Sequence, residues 1–195
     1  MFSALSALAA PTKNILVYGD SLSAGFGIAR EQSWPSLLGQ KLAASRSRYT
    51  VVNASISGET TSGGLVRFAR TIQDHRPAIV IIELGANDGL RGLPLTAMRA
   101  NLLAMIRAAK QSRASVLLIG MKIPPNYGID YTAQFAQSFI AIAAHEKIAC
   151  LHFLLEPIAN QREAFQADGM HPVAAAQPKL LAHMWSALQP LLKEK

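Results

Sequence analysis

The first hydrophobic stretch of the chain, Asn14-Ile15-Leu16-Val17-Tyr18, runs straight into Gly19-Asp20-Ser21-Leu22-Ser23, and an Asp168-Gly169-Met170-His171-Pro172 run lies near the C-terminus. A serine hydroxyl is a weak nucleophile at neutral pH. To attack a carbonyl it must be presented at a tight turn, be given a histidine to take its proton, and be faced with donors for the oxyanion that forms. Ser21, His171 and Asp168 can fill the roles of nucleophile, base and orienting carboxylate. Asp168 and His171 are three residues apart with Gly169 between them, so one turn can set the carboxylate against one ring nitrogen and leave the other facing Ser21. Gly19 allows a sharp turn out of the strand, which puts Ser21 near the start of the next helical turn, where free N–H groups favour negative charge. The N–H of Ser21 is then one oxyanion donor. Gly58, with no side chain to block a carbonyl oxygen, offers a second, and the side-chain amide of Asn87 a third.

Each residue alone has a plainer reading. Ser21 could cap a helix, Asn87 could bond its own backbone in a loop, and Gly58 could simply turn the chain. Their joint occurrence matters because of the elements that must position them. Short apolar segments at 15–18, 49–53, 78–84, 115–120 and 148–153 read as strands buried on both faces. Helix-length segments at 34–45, 62–75, 95–112, 131–147 and 173–193 alternate with them. The third carries Met98, Leu102, Met105, Ile106 and Ala109 at three-and-four spacing, an apolar stripe. Strands alternating with helices, and no hairpin signal, predict a five-stranded parallel sheet in a three-layer α/β/α sandwich. In such sheets ligands bind beyond the carboxyl ends of the strands, where the strand order reverses. Ser21, Gly58 and Asn87 follow the first three strands, and so converge on that rim.

Composition bounds the partners. The chain has 195 residues, half of them hydrophobic, and a formal net charge of +7. The Lys and Arg are scattered and no basic cluster is interleaved with aromatics, so nucleic acid is not expected as a partner. The single cysteine, Cys150, has no partner for a disulfide within the chain and reads as a small buried hydrophobe. His75, His145, His152 and His183 have no ligand-spaced partners and read as structural. No segment reaches the ~18–20 apolar residues of a membrane span. Residues 1–12 read as a leader remnant or tail, because Phe2 to Ala10 is a short apolar, small-residue run like the end of a secretory signal. The expectation is a periplasmic or secreted protein, or a cytoplasmic one if that run is only a tail, with residues 13–195 as one catalytic domain.

The four blocks GDSLS around Ser21, SGE at Gly58, GAND at Asn87 and DGMHP at Asp168 and His171 together resemble the SGNH or GDSL hydrolases, from about Lys13 to the C-terminus. Within that family SISGETTSGGL, ELGANDGLRGLP and IPPNYG are similar to the acyl hydrolases of thioesterase, lysophospholipase and arylesterase type. The resemblance implies a flavodoxin-like sandwich and a triad of Ser21, Asp168 and His171. It also implies an oxyanion hole of Ser21, Gly58 and Asn87, and no metal or organic cofactor. It implies small acyl ester or thioester substrates, lysophospholipids among them, with an acyl groove bordered by the loops 88–94 and 124–128. Leu90, Leu93 and Pro124 are then candidate acyl contacts, although the two leucines could equally pack onto the sheet. An α/β-hydrolase elbow would need G-x-S-x-G, and Ser23 stands at the last position. Two other readings stay open. One is a carbohydrate O-acetyl esterase of the same fold family. The other is a flavodoxin-like binding module, although neither GxGxxG nor GxxxxGK[ST] occurs.

Overall fold

The structure, a computed structural model, describes residues 12–192. The leader-like run at the N-terminus lies outside the described residues. Five strands, β1 (Lys13–Gly19), β2 (Tyr49–Asn53), β3 (Ile79–Glu83), β4 (Ser115–Ile119) and β5 (Ala149–Leu151), form one sheet in which every pairing is parallel. Their order is β2-β1-β3-β4-β5. The chain steps from β1 to β2 in one direction and from β2 through β5 in the other. Since parallel crossovers are right-handed, the helices of the two directions fall on opposite faces. Accordingly α3 (Thr61–His75), α5 (Leu95–Gln111) and α6 (Ile129–Glu146) pack as neighbours, and α2 (Trp34–Ala44) packs with α7 (Gln177–Leu188). This is the expected three-layer sandwich.

Burial explains the strand composition. Ile15 to Tyr18 of β1 and Ile79 to Ile82 of β3 are almost wholly shielded, as strands covered on both faces must be. The predicted stripe of α5 is fully buried, with Met98, Leu102, Met105, Ile106 and Ala109 all at 0% exposure. No helix among the described residues is long and apolar enough to cross a membrane.

Three local expectations are corrected. The stretch expected as a loop from Asp88 begins inside a short helix, α4 (Ala86–Leu90), too brief to show a helical period. The last helix, expected over 173–193, spans Gln177–Leu188 and is preceded by a 3-10 turn at Ala174–Ala176. Pro172 bridges Phe165 across the loop before it. Gly19 serves close approach: a Cβ there would stand 2.6 Å from Glu83 Oε2 of the neighbouring strand.

Candidate active site

At the switch point between β1 and β3 the chain leaves β1 through Asp20 into one helical turn, α1 (Ser21–Ala24). Asp20 caps that turn, accepting from Leu22 N at 3.0 Å. It fixes the turn. Beneath it Glu83, at the end of β3, is 2% exposed and accepts from the Ser23 hydroxyl at 2.6 Å and from Asp20 N at 3.4 Å. Burial pushes the Asp20 carboxyl up to about 6 and holds that of Glu83 well above the ordinary glutamate range.

The three candidate chemical residues meet. His171 Nε2 lies 2.8 Å from Ser21 Oγ, across 150 positions of sequence. His171 Nδ1 lies 2.7 Å from Asp168 Oδ2. With the Nδ1 hydrogen directed at the carboxylate, Nε2 is left to accept the serine proton. The other oxygen of Asp168 accepts from His171 N at 3.0 Å and Met170 N at 2.9 Å. Those backbone donors, then the ring hydrogen bond, hold the carboxyl down at about 2.

The oxyanion candidates lie on the same rim with different availability. The N–H groups of Ser21 and Gly58 donate to no protein acceptor among the described residues. Gly58 takes a left-handed φ of 77°, and its carbonyl accepts from Arg91 Nη2 at 3.0 Å, which steadies the turn. Asn87 Nδ2 donates to Asp20 Oδ2 at 3.1 Å and to Glu59 O at 3.0 Å, so an incoming oxyanion must share a hydrogen with one of them. Asp88 anchors this turn to the start of α3, accepting from Thr61 N at 2.8 Å and Thr61 Oγ1 at 2.6 Å.

A cavity of about 260 Å³ opens beside the serine. Ser21, Asn87 and His171 share its lining with an apolar wall that includes Leu90, Met121, Ile123, Pro124, Phe153 and Leu155. Leu90 and Pro124 stand where an acyl contact was expected. Leu90 also packs against the core, so the two roles weighed for it coexist. Leu93 is not part of the lining, and its carbonyl accepts from the Tyr131 hydroxyl at 2.9 Å. Met121, Ile123, Phe153 and Leu155 were not singled out from sequence. Their signal was available: each is apolar and lies just past the carboxyl end of β4 or β5, where the ligand rim of such a sheet must be.

Comparison with known proteins places this arrangement. The model of the GDSL-like lipase/acylhydrolase family matches residues 17–177, from the serine strand into the last helix. The chain belongs to that family. Among curated family members, the esterase TesA of Pseudomonas aeruginosa is 46% identical over 183 residues, covering 94% of this chain and 91% of that protein. The thioesterase 1/protease 1/lysophospholipase L1 of Escherichia coli K12 is 37% identical over 184 residues, covering 94% and 87%. In crystal form, the psychrotrophic esterase EstA of Pseudoalteromonas sp., inhibited by monoethylphosphonate, superposes with a TM-score of 0.89. It is 38% identical and the match covers 93% of this chain and all of that one. EstA shares the sandwich described above. Among the described residues no group of three or more His, Cys, Asp or Glu side chains is arranged to hold a metal ion.

Proposed function

We propose that this protein is a serine hydrolase of carboxylic esters and thioesters with a short to medium acyl chain, working through an acyl-enzyme on Ser21. The observation that carries the reading is the unbroken hydrogen-bond chain from Ser21 through His171 to Asp168, opening directly onto an apolar cavity. Ser21 Oγ attacks the acyl carbonyl as its proton passes to His171 Nε2, and Asp168 stabilises the imidazolium through Nδ1. The oxyanion takes the N–H groups of Ser21 and Gly58 and a shared hydrogen of Asn87. Collapse expels the alcohol or thiol, which takes the proton from His171. Water activated by the same imidazole then releases the acid. Asp168 suits its role because a carboxyl held at about 2 remains ionised throughout the working range.

The relatives support the bond class, since their names are those of esterases and of a thioesterase and lysophospholipase. Inhibition of EstA by a phosphonate fits a nucleophile that is esterified by tetrahedral acid derivatives. At about 260 Å³ the cavity lies at the small end of ligand pockets, ~300–1,000 Å³, so a long acyl tail would project into solvent. Lysophospholipids, whose acyl tails are long, would bind with only the carbonyl end of the tail inside the cavity. Export to the periplasm is part of the same reading, on the strength of the signal-like run from Phe2 to Ala10.

Hydrolysis of p-nitrophenyl esters from acetyl to palmitoyl tests this. The expected result is a maximum at medium chains and loss of turnover in Ser21→Ala. A maximum confined to acetyl would favour a sugar deacetylase, and turnover that survives Ser21→Ala would refute the serine mechanism.

A further inference from the structure

The loops that carry Ser21 and His171 also meet outside the hydrogen-bond chain. The ring of Phe26 faces the imidazole of His171, with centroids 4.5 Å apart and planes inclined by 38°. Phe26 is 49% exposed, so burial does not hold it there. Its backbone does. Gly25 and Gly27 flank it with φ of 78° and 73°, and its own N–H donates to Ser21 O at 3.1 Å. From the opposite loop, Gln166 Nε2 donates to Phe26 O at 2.8 Å and to Pro172 O at 3.2 Å. The N–H of Gln166 donates to His171 O at 2.8 Å. Gln166 Oε1 fills the space that a Cβ at position 27 would need, so the glycine is what lets the loops approach. The base loop is itself closed by the Phe165 to Pro172 bridge and by Arg162, whose guanidinium donates to the carbonyls of Phe165, Gln166 and Ala167.

We propose that Gln166 and Phe26 are positioning residues that clamp the two loops together and hold the imidazole of His171 within hydrogen-bond reach of Ser21 Oγ. Gln166 does so by bonding across the loops and Phe26 by stacking on the ring. This rests on the reading of Ser21 and His171 as nucleophile and base. Asp168 orients the imidazole within its own loop, but His171 and Ser21 belong to segments 150 positions apart, so the distance between them depends on contacts that join the two loops. Misplacement of a reacting group by about 1 Å can cost ~10²-fold in rate. Neither Phe26 nor Gln166 lines the cavity, so the clamp acts on turnover and not on acyl binding. The opposing view of an exposed aromatic at an active site is that it touches substrate.

The test is kcat and KM on p-nitrophenyl acetate and octanoate for Phe26→Ala, Phe26→Tyr, Gln166→Met and Ser21→Ala, with a melting temperature for each. Phe26→Ala and Gln166→Met should lower kcat by about 10- to 100-fold on both esters while leaving KM near the wild-type value, as expected for lost orientation. Phe26→Tyr, which keeps the ring face, should restore kcat to within about threefold. Melting temperatures should stay within a few degrees of wild type. Unchanged kcat, or a rise in KM for octanoate alone, would overturn the clamp, the latter in favour of substrate contact. A loss of kcat that follows a fallen melting temperature in both variants would reduce the pair to ordinary structural residues and overturn it as well. The Ser21→Ala arm separates the two levels. If it stays active the nucleophile reading fails, whereas if it is dead while Phe26→Ala and Gln166→Met turn over normally, only the clamp fails.

Discussion

In the proposed mechanism one loop supplies both the base, His171, and the charge that steadies it, Asp168. Its carboxylate is bonded by two backbone N–H groups of its own loop and by the ring of His171, so it is fixed before any substrate arrives. Because its folded value is depressed to about 2 from the usual 3.8, its stabilising contribution is present above pH ~3.8 and is lost as pH falls through about 2. Asp168→Asn keeps the shape of the side chain but turns the imidazole toward the wrong tautomer. The expected outcome is a fall in kcat of about 10³- to 10⁴-fold with KM little changed, measured on a short p-nitrophenyl ester. That Ser21, His171 and Asp168 meet was legible in the sequence, because their residue types and order together leave few other uses. The cavity wall was less legible. Leu90 and Leu93 are alike as letters, and only the five-residue helix α4 decides that the first faces the cavity and the second does not.

The ends of β1 and β3 carry a buried polar arrangement that no periodicity announces. Glu83 is the last residue of an otherwise aliphatic strand, and it lies under the Ser21 turn, holding Ser23 and the backbone of Asp20. Desolvation, then repulsion from Asp20, raises its carboxyl, so the folded chain keeps a proton there that the unfolded chain releases. Stability from this group is therefore full below its ordinary value of 4.5 and declines as pH rises toward the raised folded value. Glu83→Gln retains an acceptor for Ser23 and removes the titration. Urea unfolding at pH 5 and pH 8 should show wild type losing stability over that interval relative to the variant. A constant difference between the two would argue against the buried proton. The central strands β1, β3 and β4 could be read directly, since burial on both faces leaves continuous aliphatic runs. The edge strands β2 and β5 are partly exposed, contrary to the expectation that all five are buried on both faces. Short elements such as α1 and α4 could not be read, because four or five residues make little more than one helical turn.

At the scale of the molecule, function follows from sheet order. With β1 next to both β2 and β3, the loops after all three strands crowd one rim, and the segment after β5 returns His171 to it. The apolar residues past β4 and β5 complete a cavity at the same place. The net charge of +7 gives the surface a bias toward anionic partners without marking any one patch. What unites these features in the proposed mechanism is a covalent step at Ser21 Oγ, and it can be observed directly. The protein would be mixed with p-nitrophenyl octanoate, quenched in acid during turnover, digested and analysed by mass spectrometry. An octanoyl group on the peptide that contains Ser21, and a burst of p-nitrophenol matching the enzyme concentration if deacylation is slow, are the predicted results. Turnover with the acyl group on another residue, or a Ser21→Ala protein that still becomes acylated, would contradict the account.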